Sequence, residues 1–195
     1  MLAAERPFAM PSPGVYSFTR QIHDERSKIH LRIDNDQRAI LLVNASRLMH
    51  LNPTAGMMAY FALNNFPTNL AIRAISHTYR VSRKQAKHDY AQFAQQLEQL
   101  IRPDSACPIH DLELETIPPF STRPSAPYRM DLALTYHCNN DCAHCYNARP
   151  RSFPELSTQQ WISIIDQLWA VGIPHVVFTG GEPTLRQDLP ELVAY

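Results

Sequence analysis

Six prolines between residues 103 and 128 divide this chain: Pro103, Pro108, Pro118, Pro119, Pro124 and Pro127. A proline inside a helix removes a backbone donor and clashes with the preceding turn, so no helix runs through this stretch. It reads as a linker. Whatever folds must fold on one side of it or the other, in residues 14–102 or in residues 129–195.

A chain of 195 residues is one or two domains as a first expectation. Eighteen basic and eighteen acidic side chains cancel, so no global field favours nucleic acid or an anionic membrane. The cancellation hides an asymmetry. Residues 1–105 carry 13 Lys/Arg against 8 Asp/Glu, a balance of +5, and residues 106–195 carry −5. Nowhere does an apolar run approach the length of a membrane span. The first fifteen residues, with Glu5 and three prolines, lack the apolar centre of a signal peptide. The expected compartment is the cytoplasm.

In the first block, residues 28–33, 39–43 and 47–51 are β-prone. Asp34-Asn35-Asp36-Gln37 marks a hairpin turn between the first two. Pro53 then suits the first turn of a helix over about 53–64. Ile72, Ile75 and Tyr79 give a second helix over about 68–80. Ser82 caps a third, whose apolar face carries Tyr90, Phe93, Leu97 and Leu100. The hairpin of residues 28–43 is expected to leave one edge unpaired.

In the second block, Met130, Leu132, Leu134 and Tyr136 alternate with Asp131, Ala133 and Thr135, the pattern of a strand. Ser157-Thr158-Gln159-Gln160 has capping-box form ahead of Trp161, Ile162, Ile165, Leu168 and Trp169. Gly172 and Pro174 stop that helix. Residues 175–179 form a buried-type strand, which completes a βαβ unit of a parallel sheet. A further helix starts near Asp188.

The first of these strands runs into Cys138-Asn139-Asn140-Asp141-Cys142-Ala143-His144-Cys145. Three of the four cysteines lie in eight residues, which points to metal or redox chemistry rather than a disulfide framework. Cys107 stands apart in the linker and is assigned no role. Thiolates are the natural ligands of iron–sulfur clusters, and three of them on a four-iron cluster leave one iron open. A structural zinc, completed by His144 or His137, fits the loop alone. The next strand ends in Phe178-Thr179-Gly180-Gly181-Glu182-Pro183, with Gly180 lying 35 residues beyond Cys145. Its glycines allow backbone to approach a ligand closely. Glu182 can offer a carboxylate to a ligand ammonium. This second motif, one βα unit after the first, favours the cluster over zinc.

Together, residues 136–146 and Gly180-Gly181-Glu182-Pro183-Thr184-Leu185-Arg186 resemble the cluster and cofactor motifs that open a radical S-adenosylmethionine (SAM) barrel. The resemblance implies a [4Fe–4S] cluster on Cys138, Cys142 and Cys145, with SAM on the open iron. It implies that Gly180, Gly181, Glu182 and Pro183 hold the methionyl ammonium, and that the backbone of His144 contacts the adenine. It implies an electron donor such as a flavodoxin or ferredoxin, and assigns no catalytic side chain. The fold it implies is an α/β part comprising the first βα units of a TIM-like barrel. Later barrel strands are not in this sequence, so a fragment of a longer protein or a truncated, inactive product is expected.

The first block, through Leu51-Asn52-Pro53-Thr54-Ala55 after a hairpin and before three helices, resembles the small winged-helix-like peptide-recognition domain of ribosomal-peptide maturation. This resemblance spans residues 28–101. It implies a precursor leader peptide as partner, added as a strand to the hairpin edge. A DNA-binding winged helix shares the coarse architecture, with Arg83, Lys84 and Lys87 near phosphates. Three basic residues at a helix start are more often a solvated face, so nucleic acid is not the partner expected. The expected function is radical SAM modification of a ribosomally made peptide. The alternatives are a non-catalytic peptide-binding adaptor, or a radical SAM enzyme acting on a small-molecule cofactor precursor.

Overall fold

A computed structural model describes residues 10–22, 25–102, 124–147 and 154–195. Most of the proline-rich stretch, Cys107 included, lies outside the described residues. The chain divides into two units, Met1–Pro124 and Ser125–Tyr195.

The first unit runs β1 (Gly14–Ile22), β2 (Glu25–Ile33), β3 (Ala39–Val43), β4 (Arg47–Leu51), α1 (Pro53–Leu63), α2 (Thr68–Tyr79) and α3 (Arg83–Ile101). The strands form one antiparallel sheet in the order β1-β2-β3-β4. The turn between β2 and β3 closes through Gln37 N–H to Asp34 O at 2.9 Å and Asp34 N–H to Arg38 O at 2.8 Å. Asp36 accepts from Arg38 N–H at 3.0 Å, an aspartate holding its own turn.

The sheet corrects one expectation. The hairpin of residues 28–43 has no open edge: β1 pairs along β2 from Gly14↔Ile33 to Ile22↔Glu25, and β4 pairs with β3. Among the described residues the open edges belong to β1 and β4. The signal for β1 is present in the sequence. Tyr16 and Phe18, two residues apart, pack against the core, and Ser17 and Thr19 alternate with them to the other face.

That core is built from one face of the sheet and the facing stripes of the helices. Ile29, Leu31, Leu41 and Val43 meet Met57, Phe61, Ile75, Phe93 and Leu97, all buried. Each fully buried aliphatic contributes roughly 1.5–3 kcal/mol. Asn52 caps α1, its side chain accepting from Ala55 N–H at 2.9 Å, with Pro53 at the first helical position. The Leu51-Asn52-Pro53-Thr54-Ala55 motif is thus the physical switch from strand to helix. Ser82 caps α3 by accepting from Gln85 N–H.

Neither α1 nor α3 carries a basic residue in its last turn. The edge strands supply one instead. Arg20 of β1 donates to Leu63 O at 2.6 Å, and Arg47 of β4 donates to Leu100 O at 2.8 Å and Arg102 O at 2.6 Å. These contacts satisfy helix-end carbonyls and place positive charge at the negative end of the helix dipole.

The second unit holds β5 (Arg129–Thr135), α4 (Thr158–Ala170), β6 (His175–Gly180), a 3-10 turn (Pro183–Leu185) and α5 (Leu189–Ala194). β5 and β6 pair in parallel, joined through α4. Ser157 and Gln160 form the expected capping box, and Gly172 at φ 92° ends the helix in the left-handed region. Leu132, Leu134, Trp161 and Leu192 make the buried cluster. Every residue of β6 is only half-buried. Among the described residues no helix is long and apolar enough to cross a membrane.

Candidate functional site

The parallel pairing of β5 and β6 brings the cysteine loop and the Gly-Gly-Glu segment together. The register slips between Ala133 and Thr135, which pairs with Gly180. Beyond that point two more backbone bonds continue the join: Gly181 N–H to Thr135 O at 2.8 Å and Glu182 N–H to His137 O at 2.8 Å. His137 is the residue before Cys138, so the second motif is fastened to the root of the first.

The glycines are required by this fastening. Gly180 sits at φ 132°, and a Cβ there would lie 2.0 Å from Thr135 O; a Cβ on Gly181 would lie 2.2 Å from His137 O. In sequence, both glycines suit the approach of a ligand. The close approach in the structure is to the strand that carries the thiols, and any side chain at either position would collide with it.

Cys138, Cys142 and Cys145 are free thiols, all exposed. Cys145 N–H donates to Cys142 O at 3.0 Å, and Asn140 N–H approaches Cys138 Sγ at 3.4 Å. His144 is exposed in the turn between Cys142 and Cys145. The His137 side chain is exposed as well, with Nε2 3.9 Å from Glu155 Oε1. Among the described residues, no three His, Cys, Asp or Glu side chains are gathered as a finished metal-holding set. The thiols share one loop and leave their sulfurs accessible, and a soft three-thiolate donor set of this kind fits an iron–sulfur cluster.

Glu182 accepts from Thr184 Oγ1 at 2.6 Å and Thr184 N–H at 3.1 Å, and from Asn140 Nδ2 at 3.4 Å. The Thr184 bonds hold its pKa below the usual carboxylate range, so it is ionised at neutral pH. Pro183 opens the 3-10 turn that follows. Asn147, two residues past Cys145, donates to Gly180 O at 3.0 Å. Asn140 and Asn147 therefore tie the thiol loop to the second motif from its middle and its far end.

Behind the loop lies a polar network that no local sequence pattern marks. Arg186 donates to Leu134 O (3.1 Å), Leu156 O (3.2 Å) and Glu155 Oε2 (3.4 Å), and holds Asp188 in two bonds of 2.6 and 2.9 Å. Thr135 Oγ1 donates to Glu155 Oε1 and accepts from His137 N–H at 3.0 Å. Arg186 keeps the Asp188 pKa depressed to about 2, with Thr158 also donating to it. Thr135, Glu155 and Trp161 help line a cavity of about 150 Å³ at this end of β5. Asp188 is a near neighbour of Arg186, but Leu156 and Leu134 lie 30 and 52 residues away in sequence, beyond any local pattern.

Residues 132–195 match the model of the Radical SAM superfamily. By that match the segment is similar to a superfamily of enzymes whose cofactors are a [4Fe–4S] cluster and S-adenosyl-L-methionine. Among similar proteins, the Fe-coproporphyrin III synthase of Methanosarcina barkeri is 50% identical over 64 residues, 32% of this chain and 16% of the relative. The mycofactocin maturase MftC of Mycolicibacterium smegmatis is 46% identical over 71 residues, 36% of this chain and 18% of the relative. The PqqA peptide cyclase of Granulibacter bethesdensis is 41% identical over 63 residues, 31% and 17%. The chain thus spans less than a fifth of the length of these relatives. A solved structure, Streptococcus suis SuiB bound to precursor peptide SuiA, aligns over 92% of this chain and 39% of its own at 14% identity, with a TM-score of 0.47.

Proposed function

We propose that the second unit is the opening of a radical SAM barrel, with Cys138, Cys142 and Cys145 as cluster ligands, and that the whole protein modifies a ribosomally made peptide. The observation that carries the reading is the double backbone fastening of Gly181 to Thr135 and Glu182 to His137, which sets a three-thiol loop beside an ionised carboxylate. If bound, the cluster and SAM would supply one-electron reductive chemistry that ends in hydrogen abstraction from a substrate. The chain's residues ligate and orient. Glu182 receives the methionyl ammonium with acceptor groups of the Gly180–Pro183 segment. The amides of Gly181 and Glu182 already donate to β5 and the loop root, so they hold the segment rather than the ligand. The backbone of His144 would contact the adenine. A flavodoxin or ferredoxin would deliver the electron, in the cytoplasm.

Anaerobic reconstitution with iron and sulfide tests the ligand set. A [4Fe–4S] signal that depends on Cys138, Cys142 and Cys145 and not on Cys107 is expected; stoichiometric zinc alone would overturn it. Glu182→Gln should weaken SAM binding, since it removes the charge from a hydrogen-bond acceptor. Isothermal titration of the intact enzyme measures this, and unchanged affinity would reduce Glu182 to a turn residue.

The first unit, read as a winged-helix-like recognition domain, would take the leader peptide as an added strand. Our reading puts that strand on β4, an edge strand among the described residues, whose Arg47 reaches the end of α3. Backbone pairing would give affinity, and Arg83, Lys84 and Lys87 at the start of α3 suit an acidic peptide. NMR titration of the full chain with a peptide encoded nearby should shift β4 and α3. Shifts confined to residues 83–87, with duplex DNA preferred and a steep salt dependence, would support the DNA-binding alternative. A small-molecule substrate is the second reading for the whole enzyme, favoured by the 50% identity to a coproporphyrin synthase.

A further inference from the structure

The backbone of His137 is held from both sides. Its carbonyl accepts from Glu182 N–H at 2.8 Å, and its N–H donates to Thr135 Oγ1 at 3.0 Å. The first bond belongs to the join between the two motifs. The second begins a chain of side chains running away from the loop. The Thr135 hydroxyl donates a hydrogen bond to Glu155, Glu155 accepts from Arg186, and Arg186 grips Asp188, next to the start of α5.

The members of this chain are placed for holding rather than for chemistry. Thr135 is 3% exposed. The Arg186 side chain is 9% exposed, and its planar fork reaches three separate segments: Leu134 O on β5, Leu156 O before α4 and Asp188 before α5. The β5 irregularity lies between Ala133 and Thr135, beside the Leu134 carbonyl that Arg186 engages. A guanidinium is suited to such a junction because its donors have fixed relative directions.

We infer that Thr135, Glu155 and Arg186 are positioning residues for the cysteine loop: together they fix the backbone at His137, and so set where Cys138 leaves the strand relative to Glu182. The purpose of this fixing rests on the cluster-and-SAM reading above, but its geometry does not. The three residues reach the thiols through His137, chiefly by its peptide and also by the 3.9 Å approach of its imidazole to Glu155. The hydroxyl of Thr135 is the link that faces the loop, because it is both the donor to Glu155 and the acceptor for His137.

The test uses the full 195-residue chain without metal, so that its failure is distinct from a failure of cluster or SAM binding. Hydrogen exchange is measured by mass spectrometry across residues 134–147, with residues 29–43 as internal reference. Thr135→Val removes the hydroxyl with little change of shape and should speed exchange in 134–147 about tenfold, the effect of one lost hydrogen bond. Thr135→Ser keeps the hydroxyl and should restore native exchange. Arg186→Lys should loosen the same peptides, and the double variant Thr135→Val with Arg186→Lys should add nothing beyond the larger single effect, since both act through one path. If Thr135→Ser is as loose as Thr135→Val, the hydroxyl is not the link and the inference fails. It also fails if the two changes add as independent sites, or if neither alters exchange. Should Arg186→Lys unfold the second unit, the valine and serine pair decides alone.

Discussion

The two units solve the problem of holding a shape in different ways. The first closes a core in which Ile29, Val43, Ala59, Ala71 and Ile101 are fully buried and aromatic residues stack, Phe61 on Phe66 at 4.9 Å among them. The second buries four residues in its cluster, and none of β6 is buried. Its site is fixed instead by backbone clips, two glycines that admit no side chain, and a guanidinium spanning three segments. Apolar packing is non-directional and tolerates compensation. Polar clips are directional and suit a place where thiols and a carboxylate must keep a set separation.

Phe61→Ala should show the largest effect on the first side of the comparison. It removes a 4%-exposed aromatic from the core and should cost about 3–5 kcal/mol. Chemical denaturation followed by hydrogen exchange should show the loss in residues 25–101 and leave 129–195 unmoved. If both units melt together, they are one cooperative body and the contrast dissolves.

Gly180→Ala sets the matching break in the second unit. A methyl group 2.0 Å from a carbonyl oxygen, at φ 132°, forces the strands apart. The expected cost is about 3 kcal/mol, confined to residues 129–195 in the same measurement. A native-like exchange pattern would mean that the β5–β6 join is slack.

Acid sharpens the comparison further. Asp188 has its pKa held down to about 2 by Arg186. A carboxylate depressed in the folded state adds stability above its unfolded value, near 4, and loses that contribution as the pH falls through its folded value. The second unit should therefore lose protection between about pH 4 and pH 2. Asp188→Asn should flatten that dependence while lowering stability at pH 7. Thermal melts across this range, read by exchange in residues 155–195, would show a slope unchanged by the substitution if the pair is idle.

The smallest effect tests what the units share. Ser82→Ala and Ser157→Ala each remove a helix cap of the same geometry, worth about 1 kcal/mol. Urea midpoints should move by similar amounts in the two units. A much larger shift for Ser157 would show that α4 rests on its cap where α3 rests on its core.

Much of the fold was legible because it follows local rules. Ser82, Asn52 and Ser157 cap where short polar side chains should, and the turn at residues 34–37 carries its own aspartates. β1 is harder to read in the sequence: Tyr16 and Phe18 carry period two, but Arg20 continues their face with a charge. That charge is there to reach Leu63 O, 43 residues on. The candidate site shows the same division. The cysteines and Gly180-Gly181-Glu182 announce themselves by spacing. Thr135, Glu155 and Arg186 do not, since a threonine in a strand and a glutamate after a proline look ordinary until the chain folds back on them.

Arg20 and Arg47 have one more consequence, for how the first unit avoids folding wrongly. A strand that slips by one residue turns every side chain to the opposite face. For β1 or β4 such a slip would carry the arginine away from the helix end it serves, and leave the Leu63 carbonyl, or those of Leu100 and Arg102, without that donor. The two outermost strands, which have a neighbour on one side only and so the weakest guidance from pairing, are the two whose alignment is checked against a distant helix. The arginines act as proofreaders of strand alignment, and a misregistered sheet is penalised at the far side of the domain.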